Sequence, residues 1–255
     1  IARGERVVAT ARDPKSVEDL VAKAPDRVVA VKLDVTKPSE ITAAIKAAED
    51  RFGAIDVVVN NAGFSIVGAL EETSESDLRA TMELMFFGAV NVTREVVPKM
   101  RARKTGTIVQ ITSVGGLVTM PGFGPYCAAK HALEAVSEAL AGELAPFGVK
   151  VLIVEPGAFR TKLFGGAFRT TTKMPEYEAT VGPARSYATK EDGVQAGDPA
   201  KAAKAIVDAV NAGAPQLRLP LGADSTAGIR AKLAMVTADV DATAAIAAAT
   251  AFDRG

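Results

Sequence analysis

Apolar residues follow two alternating spacings along most of the chain. Short runs rich in β-branched residues are predicted to be strands, at 6–11, 28–33, 55–59, 107–112 and 150–155. The segments between them repeat apolar residues every three or four positions, as amphipathic helices do, at 13–24, 37–51, 74–102 and 124–147. Further predictions are a helix at 200–212, a short strand at 216–219, and an alanine-rich helix from 224 that frays after about 243.

Strands that alternate with helices predict an α/β fold, a doubly wound parallel sheet with helices on both faces. The 55–59 run is expected to be buried on both faces of this sheet. By contrast, the stretch 161–198 is rich in glycine, threonine and proline and has little periodicity. We therefore expect a single domain over 1–255, in which 161–198 is an irregular substrate lid.

Polar and small residues close several of the predicted strands. Doubly wound sheets bind ligands outside the carboxyl ends of their strands. The residues at these ends are Arg12, Asp34, Asn60-Asn61-Ala62-Gly63, Ser113 and Pro156-Gly157. Their common position at one edge of the sheet predicts a nucleotide site.

The segment from Ser113 to Lys130 carries the strongest chemical signal. Ser113 ends a strand, and Tyr126 and Lys130 lie one turn apart on one face of the following helix. An ammonium group near a phenol favours the phenolate, and we expect it to lower the pKa of Tyr126 from its usual ~10. Such a tyrosine can exchange a proton with an alcohol or carbonyl near neutral pH, and the Ser113 hydroxyl can hold the same oxygen.

This segment resembles the active-site segment of the short-chain dehydrogenase/reductase family. The resemblance extends from residue 5 to about 220 and implies a Rossmann-like fold, with Ser113, Tyr126 and Lys130 as catalytic residues. It also implies that Tyr126 and Lys130 contact the cofactor, Lys130 through the nicotinamide ribose. The other cofactor contacts that it implies are Asp34 and Val35 at the adenine, Asn60, Ala62 and Gly63 along the cofactor, and Pro156, Gly157 and Thr161 beside the nicotinamide.

The preference for NAD or NADP depends on the residues at the end of the family's second strand, which corresponds to residues 6–11 here. An acidic residue there would bind the 2′-hydroxyl of NAD, whereas this chain has Ala11 followed by Arg12. A guanidinium suits a 2′-phosphate, so we expect NADP(H), with NAD as the alternative. Arg12 has a simpler interpretation as a solvated side chain beside a helix cap at Asp13, and Asp34 as a turn former.

Two departures from the family pattern affect the expected site. No glycine-rich loop precedes a helix, and residues 1–4 resemble the end of the family's first helix. In the family, the first strand lies between the strands that correspond to 6–11 and 55–59 here. We therefore expect a sheet that lacks this strand and a sequence truncated by roughly 20–30 residues. The alternative is a chain that fills the gap in the sheet differently. Met85 stands where many members have an asparagine, which puts the proton relay from lysine to solvent in doubt.

The sequence thus predicts an NADP(H)-preferring oxidoreductase that interconverts an alcohol and a ketone or aldehyde, with Tyr126 as general acid and base. The alternative is a non-catalytic dinucleotide-binding protein of the same fold, for redox sensing or as a scaffold. By resemblance, the helices at 74–102 and 124–147 would pack against a second subunit in a homodimer or homotetramer.

Composition argues against several classes of partner and of binding site. The 255 residues have zero formal net charge and scattered basic residues, which argues against a nucleic-acid or membrane partner. The single cysteine excludes an internal disulfide and favours a reducing, cytoplasmic location. With one histidine and one cysteine, a metal site is not expected.

Overall fold

A computed structural model describes residues 1–252. Its strands are β1 (Val7–Ala11), β2 (Val28–Lys32), β3 (Val57–Asn60), β4 (Ser65–Val67), β5 (Gly106–Ile111), β6 (Val149–Pro156), β7 (Phe168–Thr170) and β8 (Arg218–Leu221). Its α-helices are α1 (Glu18–Lys23), α2 (Pro38–Phe52), α3 (Glu75–Met82), α4 (Gly88–Arg103), α5 (Gly124–Leu144), α6 (Glu178–Lys190), α7 (Pro199–Asn211) and α8 (Ala223–Ala248). The predicted alternation of strands and helices is confirmed, with boundaries shifted by a few residues.

All strand pairs are parallel, and they form separate sheets. The main sheet has the order β3-β5-β6-β8, β1 pairs with β2, and β4 pairs with β7. Ile108, Val151 and Ile153 of the main sheet pack with Val96 and Met100 of α4 in one buried cluster. A second cluster joins the opposite face of the sheet to α7. The doubly wound α/β fold is therefore confirmed.

The sheet is interrupted between β1 and β3, where the family's first strand was expected to be missing. A cavity of about 980 Å³ occupies this space, lined by residues of both strands. Val57 and Val59 of β3 are 41% and 53% exposed, so the prediction that this strand is buried on both faces is wrong. The physical reason is that no strand within residues 1–252 pairs with the β3 edge that faces away from β5.

The helix predicted at 74–102 begins at its cap, since the Ser74 hydroxyl accepts the Asp77 backbone N–H at 3.1 Å. It is not regular, however. A π-helical turn, Glu83–Phe87, separates α3 from α4. Such turns insert one residue into a helix and often lie at functional sites. Met85 is buried in this turn.

The stretch at 161–198 differs from the prediction, because it contains β7 and the 13-residue helix α6. Gly182 and Pro183 lie within α6 and obscure its helical pattern. A buried ion pair between Arg185 of α6 and Glu72 ties this stretch to the main body. Glu72 also accepts the Met174 backbone N–H at 2.7 Å.

The last helix, α8, extends to Ala248 rather than fraying after 243, and alanine, the best helix former, fills much of its length. Its first part is anchored, with Ser225 and Ile229 buried, whereas Leu233, Val236 and Val240 are exposed. Among residues 1–252, no helix combines the length and apolarity needed to cross a membrane.

Candidate active site

Ser113 and Tyr126 meet over the glycine loop that follows β5. Ser113 caps a 3₁₀ turn at Val114–Gly116, and its Oγ accepts the Gly115 backbone N–H at 3.0 Å. A Cβ atom on Gly115 would lie 3.1 Å from the Tyr126 ring and 3.4 Å from Ser113 Oγ. The glycine therefore allows the serine and tyrosine side chains to approach each other closely.

Lys130 is buried one turn beyond Tyr126 on α5. Its Nζ donates a hydrogen bond to the Ile111 carbonyl oxygen at 2.8 Å, at the end of β5. The same nitrogen lies 5.9 Å from the centre of the Tyr126 ring. The predicted grouping of helix and strand end is therefore present in the fold.

The electrostatics of Tyr126 differ from the sequence prediction. Burial raises the pKa of Tyr126 to about 12, and the neighbouring Ser113 hydroxyl only partly offsets this. Burial also lowers the pKa of Lys130 to about 8, against the opposing effect of the Glu134 carboxylate. The predicted lowering of the tyrosine pKa by the lysine is thus wrong for this structure, because loss of solvation dominates both groups.

Sequence reasoning missed a cluster of charged residues behind Lys130. Glu134 and Glu138 of α5 and Glu155 of β6 all pair with Arg218 of β8. Tyr126, Lys130 and Glu134 follow one another at four-residue spacing on one helix face. This spacing was available in the sequence, but the partners on β6 and β8 come from tertiary structure.

The segment after β3 forms one wall of the cavity. Asn60 is fixed by its side chain, whose Nδ2 donates to Thr93 Oγ1 and Gln110 Oε1, both at 3.0 Å. Ala62 is exposed, and Gly63 packs against Met85, whose Sδ would lie 3.4 Å from a Cβ on the glycine. Asn60 therefore ties β3 to α4 and β5, and Ala62 and Gly63 line the cavity beyond it.

Arg12, Asp34 and Val35 lie on the β1–β2 side of the same cavity. Asp34 Oδ1 accepts the Thr36 N–H at 3.0 Å and the Thr36 hydroxyl at 2.7 Å, and these hydrogen bonds lower the pKa of Asp34, with a smaller contribution from Arg12. The turn-forming role considered for Asp34 is therefore present. Val35 packs against Gly88, where a Cβ would come within 2.6 Å of its Cγ2.

Pro156 is the last residue of β6, and Gly157 and Thr161 follow it. A side chain on Gly157 would collide with Asp224, whose carboxylate accepts the Ala158 N–H at 2.7 Å. Thr161 is exposed, and its hydroxyl accepts the Leu163 N–H at 3.3 Å. The close approach that Gly157 permits here is to Asp224, a residue that the sequence did not indicate.

The cavity brings together only part of the predicted site. The predicted residues that line it are Arg12, Asp34, Val35, Asn60, Ala62, Gly63 and Lys130. Ser113, Tyr126, Pro156, Gly157 and Thr161 lie outside its lining. Within the part of the chain that the structure describes, no group of histidine, cysteine and acidic side chains could hold a metal ion.

Comparison with known proteins identifies the family. Residues 1–171 match the family model described as short chain dehydrogenase. An oxidoreductase of Botryotinia fuckeliana is 38% identical over 87% of this chain and 81% of its own length.

Solved structures support the same family. A short-chain dehydrogenase from Streptomyces avermitilis is 46% identical, covers 98% of this chain and 92% of its own, and superposes with a TM-score of 0.93. A gluconate 5-dehydrogenase from Burkholderia cenocepacia, solved with NADP and tartrate, is 30% identical over 64% of this chain and 66% of its own, with a TM-score of 0.61. The chain therefore belongs to the short-chain dehydrogenase family and is an oxidoreductase.

Proposed function

We propose that this protein is an NADP(H)-preferring oxidoreductase that interconverts an alcohol and a ketone or aldehyde, with Ser113, Tyr126 and Lys130 as its catalytic residues. The observation that carries the proposal is the convergence of the Ser113 hydroxyl and the Tyr126 ring over Gly115, with Lys130 one turn away. A hydroxyl pair at the carboxyl end of a strand suits a carbonyl oxygen that gains negative charge.

The cavity residues fit the two ends of a dinucleotide. Arg12 lines the cavity on the β1–β2 side, where its guanidinium would bind a 2′-phosphate with charge-assisted hydrogen bonds. Lys130, Ala62 and Gly63 line the same cavity. A bound nicotinamide would supply hydride transfer to or from the substrate carbon. NAD remains the second cofactor candidate, because the preference for NADP rests on Arg12.

The protein's own contribution is to place and transfer a proton. With its pKa raised to about 12 by burial, Tyr126 carries its proton at neutral pH and can donate it as the carbonyl oxygen gains charge. The Ser113 hydroxyl donates a second hydrogen bond to the same oxygen.

Apolar and aromatic groups surround Tyr126 and extend toward the 161–198 stretch. Phe64, Phe123 and Tyr126 share one buried cluster, and Phe164 packs against it. The Phe164 ring lies 6.1 Å from Phe168 in an edge-on arrangement. This environment favours a hydrophobic ketone or secondary alcohol over a highly charged substrate, and we propose that 161–198 covers it.

A non-catalytic dinucleotide-binding role is the second candidate, and Met85 favours it. Met85 is buried beside Gly63, where its thioether cannot hold a water as an asparagine amide would. Proton resupply to Lys130 would then be impaired, whereas the binding residues would be unaffected.

One experiment separates the two functions. NADPH and NADH fluorescence titrations measure cofactor binding, and NADPH oxidation with a panel of hydrophobic ketones and aldehydes measures turnover. Saturable binding that favours NADPH, with turnover on at least one ketone, supports the reductase. Binding without turnover on any compound supports the non-catalytic role, and the absence of binding contradicts both.

We further propose that the protein forms a homodimer or homotetramer through α3, α4 and α5. Phe87, at the end of the π-helical turn, and Phe147, just after α5, are exposed. Sedimentation analysis of the wild type and of a Phe87→Glu variant tests this surface, and an unchanged assembly would contradict it.

A further inference from the structure

Glu134 joins three parts of the active-site framework. It is 2% exposed, and its Oε1 accepts the Thr112 hydroxyl at 2.7 Å. Its Oε2 pairs with Arg218 of β8. Glu134 therefore connects α5, which carries Tyr126 and Lys130, to the end of β5 and to β8.

Thr112, which Glu134 contacts, immediately precedes Ser113 in the chain. The Thr112 backbone N–H donates to the Val154 carbonyl oxygen at 2.8 Å, so the strand end is already held from one side. The Thr112 hydroxyl lies within hydrogen-bond distance of both Glu134 and the same carbonyl oxygen, at 2.7 and 2.8 Å. A hydroxyl has a single hydrogen to donate, and a carboxylate is the stronger acceptor. Glu134 thereby fixes the orientation of the residue that precedes Ser113.

Glu134 also contacts the glycine loop, Val114–Gly116, that follows Ser113. A Cβ on Gly116 would collide with the Glu134 carboxylate, so the loop backbone packs directly on it. The adjacent Gly115 is the residue over which Ser113 and Tyr126 meet. The carboxylate is thus in contact with both the residue before Ser113 and the loop after it.

Arg218 also binds two other carboxylates, which provides a natural control. Glu138 pairs with Arg218 one helical turn beyond Glu134, but its side chain is 53% exposed and its hydrogen bonds do not extend to Thr112. Glu155 is fully buried, and burial followed by the Glu134 charge raises the pKa of Glu155 to about 7. Glu134 alone combines the ion pair with the contact to the catalytic strand end.

We propose that Glu134 is a positioning residue that acts through Thr112 to hold the Ser113 hydroxyl against Tyr126. This inference rests on the proposed reductase function and assigns a role to a residue that does not itself touch the substrate. A purely structural role for Glu134 would instead be independent of Ser113.

The test compares Glu134→Gln in two backgrounds. In the wild type, we expect kcat for ketone reduction to fall roughly 10- to 100-fold, since small misplacements of a catalytic group have effects of this size. KM and NADPH affinity should be unchanged. In a Ser113→Ala background, the same substitution should lose most of its effect on kcat, because the group that it positions is gone, and any loss that remains measures the effect of the Glu134 charge on Lys130. Equal losses in both backgrounds, or no loss in either, would overturn the inference.

Two further variants control for a folding defect in Glu134→Gln. Thr112→Val removes the hydroxyl without disturbing any charge and should reproduce the kcat loss, with little added by Glu134→Gln in the double variant. Glu138→Gln weakens the same Arg218 cluster and should change kcat by about twofold or less, because partly exposed ion pairs contribute little. A kcat loss in Glu138→Gln as large as that in Glu134→Gln would overturn the inference.

A readout without turnover separates this inference from the proposed function. If the wild type reduces no carbonyl compound, the function fails, and amide hydrogen exchange of residues 113–117 still tests the positioning. We expect faster exchange there in Glu134→Gln and Thr112→Val, but not in Glu138→Gln. Unchanged exchange in the first two variants would contradict the role of Glu134.

Discussion

The two ends of the proposed cofactor site lie at strand ends, yet their environments differ. Tyr126 and Lys130 are buried against the main sheet, and loss of solvation shifts both pKa values. Arg12 is exposed and Asp34 half-buried on the separate β1–β2 pair, where local hydrogen bonds lower the pKa of Asp34. The same topology therefore yields a proposed catalytic end organised by the core and a proposed adenosine end organised by its turns.

The largest effect should come from removing the proton donor at the catalytic end. In Tyr126→Phe, we expect kcat for ketone reduction to fall by roughly 10²- to 10⁴-fold, the usual contribution of general acid catalysis. NADPH affinity should change little, because Tyr126 lies outside the lining of the cavity that holds most of the other proposed cofactor residues. Steady-state kinetics with a fluorescence titration measures both, and full activity in this variant would remove Tyr126 from the mechanism.

The buried lysine should give the protein a distinctive dependence of stability on pH. The pKa of Lys130 is about 8 in the folded protein, below its ordinary value of 10.5. Between these pH values the unfolded chain binds more protons, so the free energy of unfolding rises with pH, by about 3 kcal/mol in total. Below pH 8 both states are protonated and the full cost remains.

Urea unfolding at pH 7.5 and 10 measures most of this rise. The Lys130→Met variant should lack this rise in the free energy of unfolding. Subtracting the pH dependence of Lys130→Met from that of the wild type removes the contributions of Tyr126 and Cys127, whose pKa values are raised by burial. Lys32→Met is the matched control at the adenosine end, because Lys32 is exposed and pairs with Glu40. Identical pH curves for wild type and Lys130→Met would mean that the lysine is solvated.

The interrupted sheet offers a matched pair of valines. Val59 and Val109 are neighbours in the β3–β5 register, but Val59 is half-exposed toward the cavity and Val109 is completely buried. Val109→Thr places an unpaired hydroxyl in the core and should lower the free energy of unfolding by about 1–3 kcal/mol. Val59→Thr should change it by about 0.5 kcal/mol or less. Equal losses in chemical denaturation would indicate that the β3 edge is covered in solution.

A modest effect on cofactor binding is expected at the adenosine end. In Arg12→Ala, NADPH binding should weaken by about tenfold, the equivalent of one exposed charge-assisted hydrogen bond, while NADH binding stays the same. Fluorescence titration with both cofactors measures the ratio. A parallel loss for both would assign Arg12 to folding rather than to phosphate recognition.

Much of this molecule follows from local sequence patterns. The β-branched runs predicted five of the eight strands within residues 1–252, and the short run at 216–219 predicted a sixth, β8. The strands β4 and β7 were missed because each has only three residues and pairs only with the other. The α6 helix was hidden by Gly182 and Pro183, residues that disfavour helices in isolation and are tolerated here by packing.

The sequence by itself determined the alternation of strands and helices, the strand-end positions of the site residues, and the shared helix face of Tyr126 and Lys130. These depend on periodicity and spacing, which are local properties. Only the tertiary structure decided that burial raises the pKa of Tyr126, that β3 borders an open cavity, and that Glu134 meets Thr112. Burial and long-range contacts arise when distant segments pack together, so no local pattern encodes them.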